Sequence, residues 1–95
     1  SDHVTTGGVR IETVDGQQVL VLAKDFSLDG APDPKIGFGK DGYVKGTLFT
    51  KLDKLNGEQT YKIPENVNLA DFNEVWVWCA KFDVPLGVAK LEKAG

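Results

Sequence analysis

Val75-Trp76-Val77-Trp78-Cys79 is the densest apolar run of the chain, and the fold turns on how it is read. As a strand over residues 74–80 it places Val75, Val77 and Cys79 on one face and Trp76, Trp78 and Ala80 on the other, because side chains of an extended chain alternate sides. Both faces are then apolar. Such a strand belongs at the centre of a packed sheet, covered on both sides, rather than at a solvated edge.

The flanking sequence has the punctuation of an all-β protein. Asp15-Gly16, Asp41-Gly42 and Asn56-Gly57 fall between short runs of Val, Ile, Leu, Thr, Phe and Tyr. These dipeptides favour tight hairpins because Gly, Asn and Asp tolerate positive φ. The pattern predicts strands over 9–14, 18–23, 35–38, 46–50, 59–63, 74–80 and 84–91. Seven or eight such strands suit a single antiparallel β-sandwich or flattened barrel. No helix is expected: Phe49, Leu52 and Leu55 have helical spacing, but Thr50 and Asp53 are poor formers and Asn56-Gly57 ends the pattern within a turn. Residues 29–34 read as an irregular loop, since Pro32 and Pro34 cannot donate to a ladder, and Pro64 ends its strand for the same reason.

Ninety-five residues, 41% of them hydrophobic and 26% charged, suit one soluble domain over 1–95 with a modest core and a mobile segment at 1–6. No apolar stretch approaches the roughly 18 residues of a membrane-spanning helix. A net charge of -3, scattered lysines and a single arginine, Arg10, argue against a nucleic-acid partner, which requires clustered positive charge. The chain has no methionine and starts at Ser1, as expected of a piece cut from a longer precursor.

Cys79 is the only cysteine, which excludes an intrachain disulfide, Cys-x-x-Cys redox chemistry, a four-cysteine zinc site and c-type haem attachment. Three roles remain: packing, a redox thiol, or a ligand. Unpaired cysteines commonly pack in cores. A redox role asks for an accessible sulfur with thiolate character, to which Lys81 would contribute if the strand continued and placed both on one face. Trp76 and Trp78 suit core packing, with stacking on a sugar or flat cofactor as the functional alternative. His3 lies in the terminal segment, so a histidine-based triad has nothing to draw on. Asp25, Asp29 and Asp33 recur every four residues without calcium-loop spacing and read as turn carboxylates. Gly7-Gly8 and Gly37-Phe38-Gly39 read as backbone-permissive positions, and Lys81 and Asp83 as solvated charge. A stand-alone enzyme is not expected from this inventory.

One combination is recognisable: Gln59-x-Tyr61-x-x-Pro64, then Val75-x-Val77-Trp78-Cys79-x-x-Phe82-x-Val84-x-x-Gly87-x-Ala89-x-Leu91. Upstream, Gly8, Val9 and Ile11 lead through Gly16, Leu20 and Leu22 to Asp25-Phe26 and Pro32-Asp33. From Gly7 to Leu91 the chain resembles the DM-thirteen domain family of electron-transfer domains. The resemblance implies an extracytoplasmic β domain of the kind found in secreted proteins, in lipoproteins and, beside DOMON modules, in Skeletor-type surface proteins. Membrane contact would come only through a lipid anchor outside this segment. The family's hallmark is a single cysteine, matched by Cys79, and the implied chemistry uses that thiol free or as ligand to a prosthetic group such as haem. Trp78 and Phe82 would shape its surroundings, and a monomeric domain would exchange electrons with a redox partner protein. Leu86 and Phe38-Gly39 depart from the family pattern without touching the cysteine. The alternative is a cell-surface recognition module that binds protein or glycan and uses Cys79 only for packing.

Overall fold

The computed structural model describes residues 5–6, 8–28 and 32–93. His3, Gly7 and Asp29 lie outside them, as does the 1–4 part of the amino-terminal segment. Among these described residues ten strands follow one another: β1 (Thr5–Thr6), β2 (Val9–Val14), β3 (Gln17–Leu22), β4 (Ser27–Leu28), β5 (Pro34–Gly39), β6 (Thr50–Lys51), β7 (Gln59–Lys62), β8 (Glu74–Cys79), β9 (Val84–Lys90) and β10 (Glu92–Lys93). Among the described residues the only helical element is a 3-10 turn at Leu69–Asp71, capped by Asn68, whose side chain accepts from Ala70 N.

Two four-stranded sheets form the sandwich, in the orders β10-β2-β3-β7 and β6-β5-β8-β9, while β1 pairs with β4. All pairings are antiparallel except β10 on β2, which is parallel. The β2–β3 hairpin shows how local sequence sets register. Asp15 and Gly16 adopt φ of 51° and 79°, the left-handed pair that a two-residue turn matching strand twist requires. Val9 then faces Leu22 and Val14 faces Gln17 in unbroken register. Alternation delivers Ile11, Leu20, Leu22 and Tyr61 from one sheet, and Ile36, Phe38, Val75, Val77 and Cys79 from the other, into a single core.

Three local expectations give way. The predicted strand over 46–50 shrinks to β6, Thr50–Lys51. Gly42 and Gly46, at φ of 136° and 91°, break the extended repeat, and residues 40–49 instead form a loop laid along β5. Thr47 fixes it: its hydroxyl oxygen accepts from Phe38 N at 2.9 Å and donates to Val44 O at 2.7 Å. Pro34, assigned to the irregular loop, opens β5, a position where the missing N–H costs nothing. Finally, β8 stops at Cys79, so Ala80 and Lys81 belong to a turn in which Asp83 takes φ 55°.

Candidate functional site

β8 is a central strand between β5 and β9, as its apolar run requires, but its two faces meet different surroundings. Val75, Val77 and Cys79 are buried between the sheets, whereas Glu74, Trp76 and Trp78 are half-buried on the outer face. The expectation of a doubly covered strand therefore fails on the tryptophan side, where Tyr43 of the 40–49 loop and Asp83 of the β8–β9 turn cover the indoles in part.

Cys79 is 1% exposed and belongs to the core. The accessible sulfur expected of a redox thiol is not present, because alternation commits residue 79 to the same inward face as Val75 and Val77. Its strand neighbours are Pro34 and Val84. The thiol donates to the carbonyl of Pro32 at 3.1 Å, and Pro32 itself is exposed. Ala80 N donates to the next carbonyl, Asp33 O, at 3.1 Å. The sulfur thus lies one peptide layer beneath the surface, closed off by the 32–33 backbone.

The neighbours expected around the sulfur lie elsewhere. Trp78 projects from the opposite face of the sheet. Phe82, 62% exposed, sits in the β8–β9 turn with the Lys81 ammonium 5.6 Å from its ring centroid, a cation-π contact at the surface. With the strand ended at Cys79, Lys81 is an exposed turn residue and does not continue the cysteine's face.

The outer face of β8 carries an aromatic cluster that includes a residue not singled out from sequence, Tyr43. Its ring stacks on Trp78 with centroids 4.0 Å apart and planes at 15°. Trp76 stands edge-on to both, at 6.2 Å from Tyr43 and 6.5 Å from Trp78. Gly39 makes this possible. A Cβ there would run into the Trp76 indole and the Gly42 carbonyl, so the glycine is needed for close approach and not for an unusual φ. Glu74 ties the cluster together, accepting from Trp76 Nε1 at 3.1 Å and from Gly42 N at 2.8 Å through one oxygen.

Asp83, read from sequence as solvated charge, accepts from Trp78 Nε1 at 2.8 Å. Each indole N–H is therefore bonded to its own carboxylate. Burial, with the Asp83 charge acting in the same direction, pushes the Tyr43 phenol above its ordinary range, partly offset by hydrogen bonds from Gly46 and Thr47. An aspartate five residues after a tryptophan was the available signal, but only the turn, in which Asp83 takes φ 55°, brings the two together.

Other candidates resolve as structural. Asp25 Oδ1 accepts from Gly8 N at 3.1 Å, and Asp33 pairs with Lys35 at 3.9 Å. Among the described residues no group of three or more His, Cys, Asp or Glu side chains is placed to hold a metal. Nor do the residues around Cys79 fit a haem. Iron at the sulfur would displace the Pro32 carbonyl, and the thiol, 1% exposed within the core, offers no open side along which a macrocycle could lie.

No curated protein and no solved structure matches the chain significantly. A family model described as electron transfer DM13 matches residues 1–91. With nearly the whole sandwich covered by that match, from β1 through the cysteine strand to the end of β9, the chain belongs to the electron transfer DM13 family.

Proposed function

We propose that this electron-transfer domain works outside the cytoplasm, with Cys79 as its redox group, used as a buried free thiol that exchanges electrons rather than bonds. The observation that carries the reading is the placement of the family's single thiol one residue from a solvent-facing indole, yet shut away from solvent itself. Nucleophilic thiol chemistry requires exposure and thiolate character. Electron exchange through the strand requires neither contact with the sulfur nor an opening in the core. The donor or acceptor is a partner protein, and the extracytoplasmic setting rests on the family resemblance.

The test compares wild type with Cys79→Ser and Cys79→Ala. Native Cys79 should resist alkylation until the protein is denatured, while a one-electron oxidant should still be consumed, with Cys79 as the oxidised residue by mass spectrometry. The alanine variant should consume less of it, because Trp78 is no longer re-reduced by the thiol, and should lose about 1 to 2 kcal/mol of stability from the vacated space. Equal oxidant consumption by wild type and both variants would end the thiol reading. The outward aromatic cluster favours a second reading, a recognition surface for protein or glycan. Under it, Cys79→Ala is less stable but binds its partner unchanged.

A further inference from the structure

We infer that Trp78, hydrogen-bonded to Asp83 and stacked on Tyr43, is the port through which electrons enter and leave the domain, an inference that rests on the electron-transfer reading above. Oxidising an indole by one electron makes its N–H strongly acidic, so the step is easiest where a base already holds that proton. Asp83 Oδ1 lies 2.8 Å from Nε1, within the range for proton transfer by a positioned side chain. The Tyr43 ring, at 4.0 Å, presents its face to the positive charge that builds up on the indole. Trp76 is the weaker candidate: its N–H reaches Glu74 at 3.1 Å, and the same oxygen already accepts from Gly42 N. Trp78 is also the residue bonded in sequence to Cys79, so the port and the buried sulfur stand on opposite faces of one strand, a single peptide apart.

The indole of Trp78 gives one electron to a one-electron oxidant, a metal complex or the metal centre of a partner protein, which is reduced. The Nε1 proton crosses to Asp83, leaving a neutral indolyl radical and a neutral carboxylic acid. The radical then takes an electron from the Cys79 sulfur while the proton returns from Asp83 to Nε1. The sulfur loses its proton past the Pro32 carbonyl to water and becomes a thiyl radical. A one-electron donor and a proton from water restore the thiol.

Flash-quench oxidation of the intact chain with photogenerated tris(bipyridine)ruthenium(III), followed by transient absorption, tests this directly. Wild type should form the neutral indolyl radical, with a solvent deuterium isotope effect. Trp78→Phe should remove most of the signal and Trp76→Phe little of it. Asp83→Asn keeps the turn, since asparagine tolerates left-handed φ, and should leave a cationic radical whose deprotonation is roughly a hundredfold slower, the lower end of what a positioned proton acceptor contributes. If Trp76→Phe abolishes the signal instead, or Asp83→Asn behaves as wild type, the port is wrong and the thiol reading stands. If the Trp78 radical forms as described but decays equally in wild type and Cys79→Ala, the thiol reading is wrong and the port stands.

Discussion

Gly39→Ala is expected to destabilise the domain by roughly 3 kcal/mol, the upper end of the range for overpacking, and to dismantle the aromatic cluster. The added methyl group would meet the Trp76 indole on one side and the Gly42 carbonyl on the other. A side chain alone could rotate away, but the carbonyl is backbone. Its loop is pinned by Gly42 N to Glu74 and by a reciprocal pair in which Asp41 N donates to Asn73 Oδ1 and Asn73 Nδ2 to Asp41 Oδ1. Relief therefore means moving the 40–49 loop off β5, carrying Tyr43 away from Trp78. Denaturant unfolding followed by tryptophan fluorescence checks both effects in one experiment. A wild-type midpoint with an unchanged native spectrum would mean that Trp76 does not lie over residue 39.

Phe38→Ala should cost more, about 3 to 5 kcal/mol, as large aromatic truncations in cores do. The ring is 0% exposed. It lies between Phe49 at 5.3 Å and Phe72 at 5.4 Å, stacked on both. These three rings join β5 to the 40–49 loop and to the segment after the 3-10 turn, so a void here is bordered by three elements that cannot all collapse into it. Domains of this size have total stabilities of about 5 to 15 kcal/mol, so the variant should be marginal at room temperature. Phe38→Leu should cost less, because it leaves a smaller void. A loss below about 1 kcal/mol for the alanine variant would show that the site repacks freely, contrary to the density expected of a core.

The two substitutions act on opposite faces of one sheet. Phe38 faces the core with Val75 and Val77, while Gly39, one residue on, serves the outer face with Trp76 and Trp78. The candidate site uses the same division within β8, holding sulfur inside and indole outside. A change that slipped the register by one residue would exchange those environments, turning Cys79 to solvent and burying Trp78 without room for it.

Alternation, turn chemistry and proline placement are local properties. They were enough to read the all-β class, the extents of β2 and β9 within a residue, the central position of β8 and the assignment of Cys79 to the face of Val75 and Val77. The family likeness was also legible, since it rests on the order and spacing of residues. What the sequence could not decide is what covers each face, because that depends on partners remote along the chain. Gly42, Gly46 and Thr47 fold the 40–49 loop against β5, so that Phe49 reaches the core and Tyr43 meets Trp78 on the outer face across 35 positions. The Pro32 carbonyl reaches Cys79 across 47 residues, and the bend of the β8–β9 turn brings Asp83 to an indole. Hydrogen bonds of this kind are set by how strands and loops converge in space, so the burial of the sulfur's surroundings and the pairing of each tryptophan with a carboxylate were matters for the tertiary structure alone.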